Sequence, residues 1–383
     1  MRGDPALPLI FTRHQALAAG LSRHQIAQRV RTRAWRPLRR AVYIEERRYA
    51  ALSERDQHLT AVIATLMARA DGAVASQGGV VASQGGAVAS QRGVVASHLS
   101  AAVAYGWVLP LAGTGPVTLT DGNLDSPTRH AYLLGREQDL TIQVASLPTS
   151  DVSTCGMDLA GTRWEVQTTS RARTVADNLR HLPNADGVAL ADSALRQGRV
   201  SYEQIAAVLE RQGCWPYAER GRRALPLVDP RRESWLESFS FVTLHQLGLP
   251  MPEPQVSLLD AQGRFVARVD GWLEDEALAL ESDGRAKYFL DEHPLPADVE
   301  VAADELLTVA QRRLMKEKER RDRIVDLGAE LARWGTHEMV RSPRAVLARI
   351  AAARRRGDAG RFAGRTAYLP APDWLMPTRR RVG

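Results

Sequence analysis

Residues Ala277 to Phe289 read ALALESDGRAKYF. Four small or aliphatic residues open a strand of the kind that sits in a core, and Glu281 and Asp283 then stand where that strand would continue. A carboxylate near a core costs several kcal/mol unless it is paired or holds a metal. The stretch is therefore either a strand end with a turn or a site. Successive strand side chains alternate, so Glu281 and Asp283 fall on one face. Gly284 lets the chain turn away, and Lys287 can reach back toward the acids.

Outward from this strand, residues 229–350 predict a helix over Glu233 to Leu247, which carries Glu237, and then the strands PEPQVSLLD and RFVARVDGWL, the second bearing Asp270 at its end. After ALALESDG come a long Lys- and Arg-rich helix over Val299 to Leu327, a strand ELARWG and a last helix. The order α-β-β-β-α-β-α resembles the core of a restriction-endonuclease-like fold. In that fold, metal-dependent cleavage of a phosphodiester uses one acid at the end of the second strand, another on the third, and a basic residue nearby. The resemblance makes Asp270, Glu281 and Asp283 ligands of Mg2+ or Mn2+, hard oxygen donors for a hard cation. It puts Lys287 on the scissile phosphate and gives Glu237 a further contact to metal or water.

The stretches SWLESFSFVTLHQLGLPMPEPQ, VDGWLEDEALALESDGRAKY and EKERRDRIVDLGAELARW look like a family related to very-short-patch-repair endonucleases, of the PD-(D/E)xK class. The motif positions are Glu237, Gln255, Asp270, Glu281 to Tyr288, Glu317 to Asp322 and Arg333. By this resemblance Glu237, Asp270, Glu281 and Asp283 form the acidic site, with Lys287 and Lys318 as basic partners. Two positions depart from the pattern. Asp283 replaces the lysine of the wider (D/E)-x-K motif, so its work falls to Lys287, and Gly271 follows Asp270 where the family has an aromatic residue. Glu274, Asp275 and Glu276 read as a charged turn.

Charge directs attention to the two ends of the chain. Net charge is +7, but residues 1–50 hold 11 arginines against 3 acids and residues 341–383 hold 11 against 2, so the interior is negative. Basic ends on an acidic body fit a polyanion binder, and equally a solubility feature. Within TRHQALAAGLSRHQIAQRVRTRAWRPLRRAVYIE, a short helix from Thr12 stops at Gly20, and Ser22 caps a second helix from Arg23 to Arg31. WRPLRRAVYI then alternates as a two-stranded wing. In such a helix-turn-helix, Ser22, Arg23, His24 and Gln25 approach the major groove, and Arg29, Arg31, Arg33 and Arg36 lie near phosphates. The alternative is a small helical cap with a solvated arginine face. Ala16, Gly20, Ser22, Ile26, Trp35, Leu38, Val42 and Tyr43 match the amino-terminal winged helix of the AbiEi family of type IV antitoxins, which the stretch resembles. The glycine that precedes Val-Tyr in that family is here Ala41, at a turn where a positive φ favours glycine.

Residues 72–99 carry four copies of a seven-residue unit, GAVASQG with variations, too poor in helix formers for a coiled coil and read as a tolerated insertion. The surrounding middle region predicts mixed α and β, with strands at 117–120, 140–145 and 163–168 and helices at 171–182, 185–196 and 202–211. TSRARTVADNLR resembles the family's linker between winged helix and effector. With 383 residues, 44% of them hydrophobic and 25% charged, the chain has the composition of an ordinary soluble globular protein. No apolar run is long enough for a membrane span, the amino terminus lacks a signal-peptide core, and the expected location is the cytoplasm. Cys155 and Cys214 have no zinc or redox spacing.

The expected architecture is α/β and multidomain. It comprises a winged helix-turn-helix (1–50), a middle α/β region (51–228), a restriction-endonuclease-like domain (229–350) and a basic tail (351–383). Three functions stay open: a Mg2+- or Mn2+-dependent DNA endonuclease, a non-catalytic antitoxin or autorepressor with a degenerate nuclease fold, and a nicking repair enzyme that recognises mismatches. DNA is the expected partner. The AbiEi resemblance adds a cognate nucleotidyltransferase toxin or its operon, and palindromic cutting would call for a homodimer.

Overall fold

The structure, a computed structural model, describes residues 7–74, 87–88, 93–122, 140–283, 315 and 318–375. Lys287, the Gly284 turn, the start of the 299–327 helix and most of the 72–99 repeat lie outside these residues. The described chain is mixed α/β, built on three sheets, and divides into two compact units. Among the described residues no helix is long and apolar enough to cross a membrane.

The first unit, residues 1–182 and 197–225, opens with β1 (Ile10–Thr12), α1 (Arg13–Ala18), α2 (Arg23–Arg31), β2 (Trp35–Arg39), β3 (Val42–Glu45) and α3 (Glu46–Ala50). Both helices start for the same reason. Thr12 and Ser22 each accept the N–H of the third helical residue, and the glutamine there returns a bond to the cap. Gly20, at φ +91, makes the turn between them. The strands pair antiparallel in the order β1-β3-β2, and Phe11, Ala16, Leu21, Ile26, Trp35 and Tyr43 form a small core. Ala41, between β2 and β3, does adopt φ +62.

The unit continues with α4 (Glu54–Val74), β4 (Ala87–Val88), β5 (Val94–Ala96), α5 (His98–Tyr105), β6 (Val117–Asp121), β7 (Leu140–Val144), β8 (Val152–Leu159), β9 (Thr162–Thr169) and α6 (Arg171–His181). TSRARTVADNLR is no linker. Its helix α6 is buried from Arg173 to Arg180 and carries an internal ion-pair network. Arg173 meets Asp151 (3.0 Å) and Asp177 (2.8 Å), and Arg180 meets Asp177 (2.7 Å). The chain then gives α7 (Asn184–Arg196) to the second unit and returns for α8 (Tyr202–Arg211) and α9 (Ala218–Ala224).

The second unit adds α10 (Trp235–Gln246), β10 (Glu253–Leu259), β11 (Phe265–Leu273), β12 (Leu278–Asp283), β13 (Glu330–Gly335), α11 (Thr336–Arg341), α12 (Pro343–Arg356) and β14 (Arg365–Ala367). Residues 318–326 are helical as well. The sheet order is β13-β12-β11-β10-β14, with β12 and β13 parallel and the other neighbours antiparallel. The middle of the stretch expected as a basic tail thus supplies the edge strand β14. Leu278, Leu280 and Trp334 pack with α10, α11 and α12, while Ala277 and Ala279 belong to a second core with Val256, Trp272 and Ile324 of the 318–326 helix. Helix α7, read from sequence as part of the middle region, is pinned here by Asp192. Its carboxylate accepts from Arg232 (3.1 Å), Ser238 on α10 (2.7 Å) and the Asp229 N–H (2.6 Å).

Candidate active site

Strand register builds the site. On β11 and β12, Gly271 pairs with Leu280, so Asp270 and Glu281 are the next cross-strand neighbours. Parallel pairing then sets Glu281 beside Arg333 of β13. On β10, Gln255 lies between Pro254 and Val256, whose partners Gly271 and Val269 flank Asp270. Gln255, Asp270, Glu281 and Arg333 therefore form one row across four strands. Gln255 takes φ +56, a left-handed conformation that costs a non-glycine residue about 1–2 kcal/mol. Such strain collects where a side chain must be aimed. Here the Gln255 amide donates to Glu237 Oε2 (2.8 Å), which also accepts the Glu233 N–H (2.9 Å). Glu237 stands in the first turn of α10, capped by Ser234, and both it and Gln255 are buried.

The three acids differ in what holds them. Asp270 Oδ2 accepts from the Ser282 N–H (2.9 Å) and hydroxyl (3.0 Å). Glu281, 5% exposed, is clasped by two guanidinium groups. Arg320 of the 318–326 helix approaches Oε1 (2.5 Å); Arg333 donates through Nε to Oε2 (3.0 Å) and makes a closer contact through Nη2. Arg320 also donates to the Arg268 carbonyl (2.7 Å). Burial pushes the Glu237 carboxyl above its ordinary value, and the charge of Asp270 pushes it further. Burial likewise raises Asp270, with Glu281 adding to the rise against the Ser282 donors and Arg320.

Among the described residues no hydrogen bond reaches Glu237 Oε1 or Asp270 Oδ1, whereas Glu281 Oε1 is met by Arg320. Carboxylates raised by burial and by one another are relieved by a cation. No group of three His, Cys, Asp or Glu side chains among the described residues makes a metal cage by itself. The donor set nonetheless fits Mg2+, which takes one or two carboxylates and fills its other positions with water and substrate phosphate. Asp270 and Glu281 are the residues that would hold it.

The other expected site residues are placed less centrally. Asp283 is the exposed last residue of β12, Lys318 is exposed at the start of its helical segment, and Lys287 lies outside the described residues. Gln255, Arg320 and Arg333 carried motif positions without a role in the sequence reading; Ser282 carried no signal of its own. Gly271 has a clear local cause. A Cβ there would sit 2.6 Å from the Phe241 ring, so the ring of α10 takes the space that a side chain at 271 would need.

At the amino-terminal end, Ser22 caps α2, and Arg23, His24, Gln25, Arg31 and Arg33 are exposed. Besides Ser22, three of the proposed contacts are engaged within the chain. The Gln25 side chain closes the capping box, Arg29 lies over Trp35 (5.4 Å), and Arg36 forks onto Glu46 (2.6 and 2.8 Å) above Tyr49.

No family model matches the chain. It is similar to the uncharacterized proteins MT2308 and Rv2248 of Mycobacterium tuberculosis, from strains CDC 1551 / Oshkosh and ATCC 25618 / H37Rv respectively. Each is 29% identical over 201 residues, a span of 51% of this chain and 64% of the relative. The match thus spans less than two thirds of those relatives' own length.

Proposed function

We propose that this chain is a DNA-binding protein whose second unit cleaves or nicks DNA by metal-dependent hydrolysis of a phosphodiester. The observation that carries the reading is the row Asp270, Glu281 and Arg333, two acids and a cation on three adjacent strands, with Glu237 behind them. The element order and motif positions support a restriction-endonuclease-like fold of the very-short-patch-repair kind. A Mg2+ or Mn2+ ion held by Asp270 and Glu281 would supply Lewis-acid activation of water and neutralise charge on the phosphate. Glu237, held by Gln255 and raised by its surroundings, accepts a hydrogen from the attacking water. Hydrolysis adds water across one P–O bond and leaves a phosphomonoester and an alcohol.

The amino-terminal helices and the β2–β3 hairpin support a winged helix-turn-helix of the AbiEi kind as the element that finds DNA. With Gln25 in the capping box and Arg36 on Glu46, base contacts fall to Arg23 and His24, and phosphate contacts to Arg31 and Arg33. A second reading is favoured by the saturation of Glu281 with two guanidinium groups: an antitoxin or autorepressor, partnered with a nucleotidyltransferase toxin, in which the arginines have replaced the metal. Incubating supercoiled plasmid with the chain in Mg2+ or Mn2+, beside Asp270→Ala and Glu281→Ala, separates the two. Nicking lost in both variants while a gel shift persists supports the nuclease; a salt-sensitive shift without cleavage in any metal supports the repressor.

A further inference from the structure

We infer that Arg320 and Arg333 are the phosphate-binding forks of this site, held on Glu281 until a DNA phosphodiester exchanges for it, so that DNA and divalent cation bind cooperatively through Glu281. The inference rests on the nuclease reading and adds to it a built-in order of binding. Arginine matches carboxylate and phosphate with the same planar fork, so a phosphate oxygen competes for either arginine on equal geometric terms. Both arginines are reachable from solvent, with side chains 28% and 32% exposed, while the Glu281 side chain is only 7% exposed. The Arg268 carbonyl keeps Arg320 in place after Glu281 lets go.

Exchange changes what Glu281 requires. With its arginines turned to phosphate it becomes a buried carboxylate beside Asp270, a state that is costly until a cation compensates it. A cation that arrives without DNA must instead displace two guanidinium groups. Each ligand therefore tightens the other by the same factor. This keeps the two acids from holding a metal until a phosphate is present.

The test counts free Mn2+ by electron paramagnetic resonance while the full chain is titrated with Mn2+, with and without a saturating short phosphorothioate duplex of random sequence. Glu281→Gln under the same conditions sets the background from DNA alone. The expected result is Mn2+ affinity raised on the order of tenfold by duplex, inside the ~5–150-fold range of known couplings. In the Arg320→Gln/Arg333→Gln variant, Mn2+ should bind more tightly without duplex, and the coupling should vanish. Equal Mn2+ affinity with and without duplex, lost in Glu281→Gln, overturns the exchange and leaves the nuclease reading standing. Absence of any Mn2+ site above the Glu281→Gln background overturns both. Should circular dichroism show the double variant unfolded, the wild-type comparison against Glu281→Gln decides the matter alone.

Discussion

Ala41 shows what one methyl group does at a turn. At φ +62 an alanine is strained by about 1–2 kcal/mol, and glycine is not. Ala41→Gly should therefore raise stability by about 1 kcal/mol after the extra freedom of the unfolded chain is deducted, read as a higher midpoint in urea; a lower midpoint would contradict the strain. Gly271 is the opposite case. Gly271→Ala drives a Cβ into Phe241 and should cost about 1–3 kcal/mol. Combining it with Phe241→Leu should return part of that loss, again by urea midpoint. Glu281 was legible because charge interrupts an apolar strand, while Glu237 and Asp270 were singled out through the resemblance and its element order. Arg320 held a motif position, but its role was not legible, because it reaches Glu281 from a helix about forty residues away, and apart from the motif no local pattern in EKERRDRI separates a site arginine from a solvated one.

Elements explain the larger misreading. In RARTVADNLR the charges at 173, 177 and 180 have the spacing of a salt-bridged solvent face, yet α6 buries all three. A sequence records the spacing of the charges and not whether water surrounds them. Asp177→Ala would leave Arg173 and Arg180 buried without their shared partner and should destabilise the fold by about 3–5 kcal/mol; calorimetry showing a loss under 1 kcal/mol (~1) would refute the network's weight. Helices α4 and α5 make a pH prediction. Ser100 accepts the Thr118 N–H and so can donate its proton to His58 Nε2 (3.0 Å), and burial holds His58 down to about 4. The folded value lies below the ordinary 6.5, so the stabilisation is present above pH 6.5 and is lost as pH falls toward about 4. Up to about 3 kcal/mol is at stake. In His58→Gln the fall in melting temperature across that window should be shallower than in wild type; an unchanged slope would contradict it.

At the scale of the whole molecule, the chain passes between its two units more than once. Residues 183–196 belong with 226–383, while 197–225 return to the first unit. Sequence composition offers no marker for this, since α7 is an ordinary amphipathic helix between two others. The strand order of the second unit was legible from turn signals and alternation, but β14 was hidden in an arginine-rich stretch. A fragment of residues 229–383 lacks α7 and leaves Arg232 and Ser238 without Asp192. It should show no cooperative melt alone and should gain one when a peptide of residues 183–196 is added. Cooperative melting of the fragment alone would place α7 outside the unit's folding core.

The central claim is that Asp270 and Glu281 are placed for phosphodiester hydrolysis. It is tested most directly by strand scission of a supercoiled plasmid in Mg2+ at equal DNA occupancy, set by gel shift, for wild type and Glu281→Gln. The account predicts Mg2+-dependent nicking by the wild type and its loss in the variant, with binding retained. Equal scission by both proteins, or none by either at full occupancy, would contradict it.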